Sequence, residues 1–186
     1  MSFGSLWLPV VLSAVAVWIV SAIVHMALRY HRADYKQLSD EDSVAQAVRK
    51  AGASPGLYVF PYCTSPAQMK EPALRKKFED GPIGFLILRP NGVPAMGKNL
   101  GQWLLLCFLV SFVTAYVARH TLHAGQDGLT VLRITATVAF AGYGFGYLQD
   151  SIWMGVPWSN SLRGLFDAVL YSLTTGLVFR LLWPGA

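Results

Sequence analysis

Four apolar stretches constrain this chain more than anything else in it: Leu6–Leu28, Leu100–Ala118, Leu129–Leu148 and Leu162–Trp183, of 23, 19, 20 and 22 residues. A helix rises 1.5 Å per residue, so about 20 apolar residues cross the hydrocarbon core of a bilayer. The spacing predicts an all-α membrane protein, a four-transmembrane-helix bundle. Composition agrees, with 54% apolar and only 13% charged residues in 186, where an ordinary soluble domain carries roughly 25% charged. A soluble enzyme, a secreted disulfide scaffold and a disordered chain are excluded. Met1–Ser5 is uncharged, so the first stretch lacks the basic start of a signal peptide and reads as an uncleaved anchor.

Residues 29–99 form the one long polar segment, within a single membrane domain covering 1–186. It holds eleven of the fifteen Lys/Arg and seven of the ten Asp/Glu. The cations nearest the spans are Arg29, Arg32 and Lys36 on one side and Arg89 and Lys98 on the other. Basic residues flanking spans are retained at the cytoplasmic leaflet, so the segment is expected in the cytoplasm, with both termini and the turn from Arg119 to Gly128 outside. Arg133 and Arg180 then fall near the outer ends of their spans, where long stems carry the charge to the interface. Trp153 and Trp158 on the inner side, and Trp7 and Trp183 on the outer, fit interfacial belts.

The segment reads as a small α+β cytoplasmic loop subdomain. Ser39 followed by Asp42 resembles a helix start, Val44, Ala47, Val48 and Ala51 form an apolar stripe, and Gly52 is a stop. Leu57–Phe60 and Ile83–Leu88 read as strands closed by Pro61 and by Pro90-Asn91-Gly92. Between them Pro72–Asp80 can be a helix with Leu74 and Phe78 opposite Arg75, Lys76 and Lys77. So few residues cannot build an independent core. Membrane-surface contact with anionic lipid, a protein partner or a second copy is expected to cover it. Nucleic acid is not expected, because no stripe alternates basic residues with stacking aromatics. Neither Cys63 nor Cys107 has a C-x-x-C partner, so no disulfide or zinc–thiolate site is expected.

Polar groups inside the spans are the candidates for chemistry. Arg163, Asp167, Tyr171 and Thr174 share one helical face, and Trp18, Ser21, His25 and Arg29 another. His25 and Asp167 fall at similar depth, which predicts a buried polar cluster of His25, Arg29, Arg163, Asp167 and Tyr171. A carboxylate in lipid is costly unless paired, and His25, Arg163 and Arg29 are the partners at hand. The cluster is either a proton relay or ligand site, or a structural pairing with Asp167 in the first turns of its helix. No nucleophile has an oriented base, so no catalytic residue is named. His120 and His123 near Asp127 supply at most three ligands, so no metal and no cofactor is expected. Thr135, Ala139, Gly142 and Gly146 make a small-residue stripe that marks a helix contact, within the chain or between two copies. No internal repeat supports an inverted duplication.

The strings IVHMALRYHRADY at the end of the first span, MGKNLGQW at the start of the second, QDSIW with PW in the inner turn, and FDAVLYSLTTGLVFRLLWP in the fourth resemble a family of uncharacterised bacterial integral membrane proteins with the same layout over nearly the whole chain. The resemblance implies a bacterial inner-membrane location. It implies no activity and carries no functional residue. The expectation is a non-enzymatic accessory, assembly or scaffold component that docks a partner or anionic lipid through the basic loop. The alternative is a small oligomeric transporter or channel using the His/Asp/Tyr cluster.

Overall fold

The computed structural model describes residues 3–185 and divides them into two compact units, residues 36–94 and the remainder. Four helices are long and apolar enough to cross a membrane, as in a multi-pass membrane protein. They are α1 (Trp7–Met26), α4 (Met96–Thr121), α5 (Gly128–Trp153) and α6 (Trp158–Leu181). In the smaller unit lie α2 (Glu41–Lys50), β1 (Gly56–Phe60), α3 (Pro72–Asp80) and β2 (Gly84–Leu88).

The long helices outrun their apolar stretches. The polar residues Gly97, Lys98 and Asn99 keep α4 helical before the expected start at Leu100, and α5 continues through Gln149–Trp153. A helix ends where its backbone bonding ends, not where its hydropathy falls. Asp127 caps α5 by accepting from the N–H groups of Leu129 and Thr130 at 3.1 and 3.0 Å. Those bonds, with Thr130 foremost, pull its carboxyl down to about 2. By contrast α1 stops at Met26, two residues short of the expected Leu28, where the extended backbone of Leu28 turns the chain into a 3-10 segment, Arg29–Asp34.

Helix α1 packs on α4 and α6, and α5 on α4 and α6. The apolar core has two centres, one including Val17, Cys107, Tyr143 and Tyr171, the other including Leu6, Ala118, Val131 and Phe179. In lipid no hydrophobic force joins helices, so close packing and interhelical hydrogen bonds must. Ser13 donates to Ser111 at 2.9 Å, the Trp103 indole to Ser21 at 2.7 Å, and Ser151 and Ser161 lie 2.6 Å apart. Glycines bring α5 and α6 together: a Cβ on Gly164 would lie 2.5 Å from the Tyr147 ring, and one on Gly176 3.0 Å from Ala136. Trp183, expected in an interfacial belt, is instead 3% exposed, and its indole donates to the His123 carbonyl at 3.0 Å. Trp7, Trp153 and Trp158 are exposed.

In the smaller unit β1 and β2 pair antiparallel, with Leu57 opposite Ile87 and Val59 opposite Phe85. Asp40 caps α2 through the Ser43 N–H at 3.0 Å, where Ser39 was the expected cap. Pro72 opens α3, where its missing N–H costs nothing, and Gly81 closes it at φ 63°. No residue from 36 to 94 is buried.

Candidate functional site

The polar groups of the four-helix unit converge where α1, the 3-10 segment after it and α6 meet. Asp167 is the tenth residue of α6, about 14 Å from its first residue at 1.5 Å per step, and is wholly buried. It therefore does not sit in the first turns of its helix, and a helix dipole acts only across the first turn. Its carboxylate accepts from the Tyr30 hydroxyl on Oδ1, and its Oδ2 lies 2.8 Å from His31 Nε2 and 3.9 Å from His25 Nε2.

The 3-10 segment supplies Tyr30, His31 and Asp34, and its geometry pairs the last two. Side chains at i and i+3 of such a turn eclipse. Accordingly His31 Nδ1 lies 2.6 Å from Asp34 Oδ2. Asp34 is fixed in turn by Arg163, which donates to its Oδ1 at 2.5 Å, and by Asn160, whose amide donates to its carbonyl at 3.0 Å. The second histidine is oriented separately. His25 Nδ1 is 3.0 Å from the Ser21 carbonyl, which can only accept, so that nitrogen carries a hydrogen, and Nε2 faces Asp167. The two imidazoles stack, with centroids 4.5 Å apart and planes 8° from parallel. Burial first, then the bond to Asp167, holds the Tyr30 hydroxyl above its ordinary range, so it remains a donor.

Of the residues singled out from periodicity, His25, Asp167 and Tyr171 come together, with the Tyr171 hydroxyl 3.5 Å from His25 Nδ1. Arg163 belongs to the same network but pairs with Asp34, not with Asp167. Arg29 does not join: it is exposed and has no partner among the described residues. Its assignment assumed that the helical spacing from His25 continues, and α1 ends one residue after His25. Tyr30, His31, Asp34 and Asn160 escaped the sequence reading. The available signal was His31-x-x-Asp34 directly after a span end. In the small-residue stripe, Thr135 and Ala139 are buried, Gly142 faces Val110 of α4, and Gly146 meets nothing within 4 Å. His120 and His123 engage separate carbonyls, of Tyr116 and Ala124.

Chemically, His25, His31 and Asp167 each offer one ligand atom, all within 4.8 Å of one another. Asp167 has no Lys or Arg within ion-pair distance among the described residues. Compared with protein-family models, curated proteins and solved structures, the chain matches none.

Proposed function

We propose that the chain takes up a small cation at Asp167, as the ion-handling subunit of a small oligomeric transporter or channel. One observation carries this reading: a fully buried carboxylate is surrounded by two imidazoles and a phenol and has no Lys or Arg within ion-pair distance among the described residues. Burying a carboxylate costs several kcal/mol in desolvation, and an entering cation offsets that cost. One four-helix chain encloses no wide path, so transport calls for an oligomer. The reading requires no covalent step and no enzyme activity. Its test is cation flux into proteoliposomes over a panel of monovalent and divalent ions. The parent is expected to move at least one of them, and Asp167→Asn to abolish that flux. Flux no greater than in empty vesicles, or equal flux in the variant, overturns it.

A second reading, docking through residues 36–94, has its own support. None of these residues is buried, and Leu57, Ile87 and Val93 are 60%, 68% and 96% exposed. Both ends of the unit lead into membrane-length helices, and α3 carries Arg75, Lys76 and Lys77 in succession. An anionic leaflet is the surface that this mixture of apolar and basic groups fits. We place the unit on the cytoplasmic side of a bacterial inner membrane from the span-flanking cations. In a Cys63→Ser background, a thiol introduced by Ala67→Cys should then escape a membrane-impermeant reagent in intact cells and react after permeabilisation.

A further inference from the structure

We propose that the cation held at Asp167 is a divalent transition-metal ion, ligated by His25 Nε2, His31 Nε2 and the Asp167 carboxylate. The proposal rests on the reading that Asp167 takes up a cation, and it names the ion's chemistry.

The first argument is the outer shell. A metal-ligating histidine nearly always donates its other ring N–H to a carboxylate or a backbone carbonyl, which fixes its tautomer and orientation. Both arrangements are present. His31 Nδ1 faces Asp34 at 2.6 Å, and His25 Nδ1 faces the Ser21 carbonyl at 3.0 Å. Asp34 is itself clamped by Arg163, and the second oxygen of Asp167 is held by Tyr30. Each of the three groups is thus oriented from behind and presents one donor atom forward.

Spacing is the second argument. Around an ion bound at about 2.0–2.1 Å, tetrahedral ligand atoms stand roughly 3.3 Å apart. The separations from Asp167 Oδ2, 2.8 Å to His31 and 3.9 Å to His25, bracket that value. Shifts near half an ångström bring both to it, and the two imidazoles, stacked 8° from parallel, converge on one ion once the His25 ring turns out of the stack. His25 has room to make its shift, since its side chain is 51% exposed.

Charge and ligand type select the ion. Two neutral imidazoles and one carboxylate give the inner set a single negative charge, while Arg163 offsets Asp34 behind it. Imidazole suits zinc, copper, iron and nickel, whereas magnesium and calcium demand oxygen ligands. Three protein ligands leave a fourth position for water or an exchanging group. That is the open type of site, not the closed four-ligand structural type.

The test uses the full chain in nanodiscs, stripped with chelator and titrated with Zn2+ by calorimetry and with Co2+ by visible absorption. One equivalent per chain is expected, with Co2+ ligand-field bands. His31→Ala and Asp167→Asn should lose the bands and weaken binding at least tenfold. Asp34→Asn, which alters only the outer shell, should weaken binding by about 10–100-fold and retain the bands. Helical circular dichroism and monodisperse elution screen each variant for folding. Because His25 is half exposed, His25→Cys keeps the test decisive: it should bind Co2+ and add a thiolate charge-transfer band absent from the parent. No stoichiometric binding, or Co2+ bands unchanged in both His25→Ala and His31→Ala, overturns the proposal. Asp167-dependent flux of a monovalent ion without Zn2+ or Co2+ binding overturns the metal assignment and leaves cation uptake standing. Loss of both overturns both.

Discussion

At the scale of residues, the two histidines differ in what they owe to Asp167. His31 sits at 2.8 Å with its side chain 17% exposed, whereas His25 sits at 3.9 Å and is half exposed. In metal-free protein, a thermal-stability double-mutant cycle should give His31→Ala and Asp167→Ala a coupling of about 1–3 kcal/mol. The same cycle on His25 and Asp167 should stay near the 0.5 kcal/mol scatter of independent sites. Arg29→Ala should change stability by less than about 0.5 kcal/mol, as exposed unpaired positions do. Equal coupling for the two histidines would show that the network is misassigned. Helical spacing brought Asp167, Tyr171 and His25 into view because all three lie on helices. It could not reach Tyr30, His31 and Asp34, since their side chains arrive through a turn that the sequence marks only by local spacing. Nor could it foresee that Asp34, brought back by that turn, would claim Arg163.

At the scale of elements, the α5–α6 contact depends on glycines that the small-residue stripe did not contain. Spacing identifies a narrow face of a helix but not the neighbour that meets it. Here the stripe's Gly142 meets α4, while Gly144, Gly164 and Gly176 provide the close approach between α5 and α6. Gly164→Ala drives a methyl into the Tyr147 ring and should cost about 1–3 kcal/mol, as overpacking does. Gly146→Ala adds its methyl where nothing lies within 4 Å and should not lower stability. Thermal melts of the two variants in detergent check the contrast, and a reversed order would count against this packing. The four spans themselves were legible because twenty-residue apolar runs admit few structures. Their ends were less so, because backbone bonding carries α4 and α5 into polar sequence.

At the scale of the whole molecule, the smaller unit was legible as two helices and two strands without a core of its own, since short apolar runs in a basic segment allow little else. Its surface partner is a matter for measurement. Amide hydrogen exchange across residues 36–94 should be slower in anionic than in zwitterionic nanodiscs, and charge reversal at Arg75, Lys76 and Lys77 should remove the difference. Equal exchange in the two lipids would argue against leaflet docking. The polar network carries another consequence, one for the order of synthesis. Tyr30 and His31 lie 137 and 136 residues ahead of Asp167 in the chain. At roughly 5–20 residues per second, these early residues leave the ribosome on the order of ten seconds before the carboxylate that completes them. During that interval α4 and α5 are made and must be inserted, so a chain stopped before α6 carries the histidines without their acid, and completion of the site coincides with arrival of the last helix.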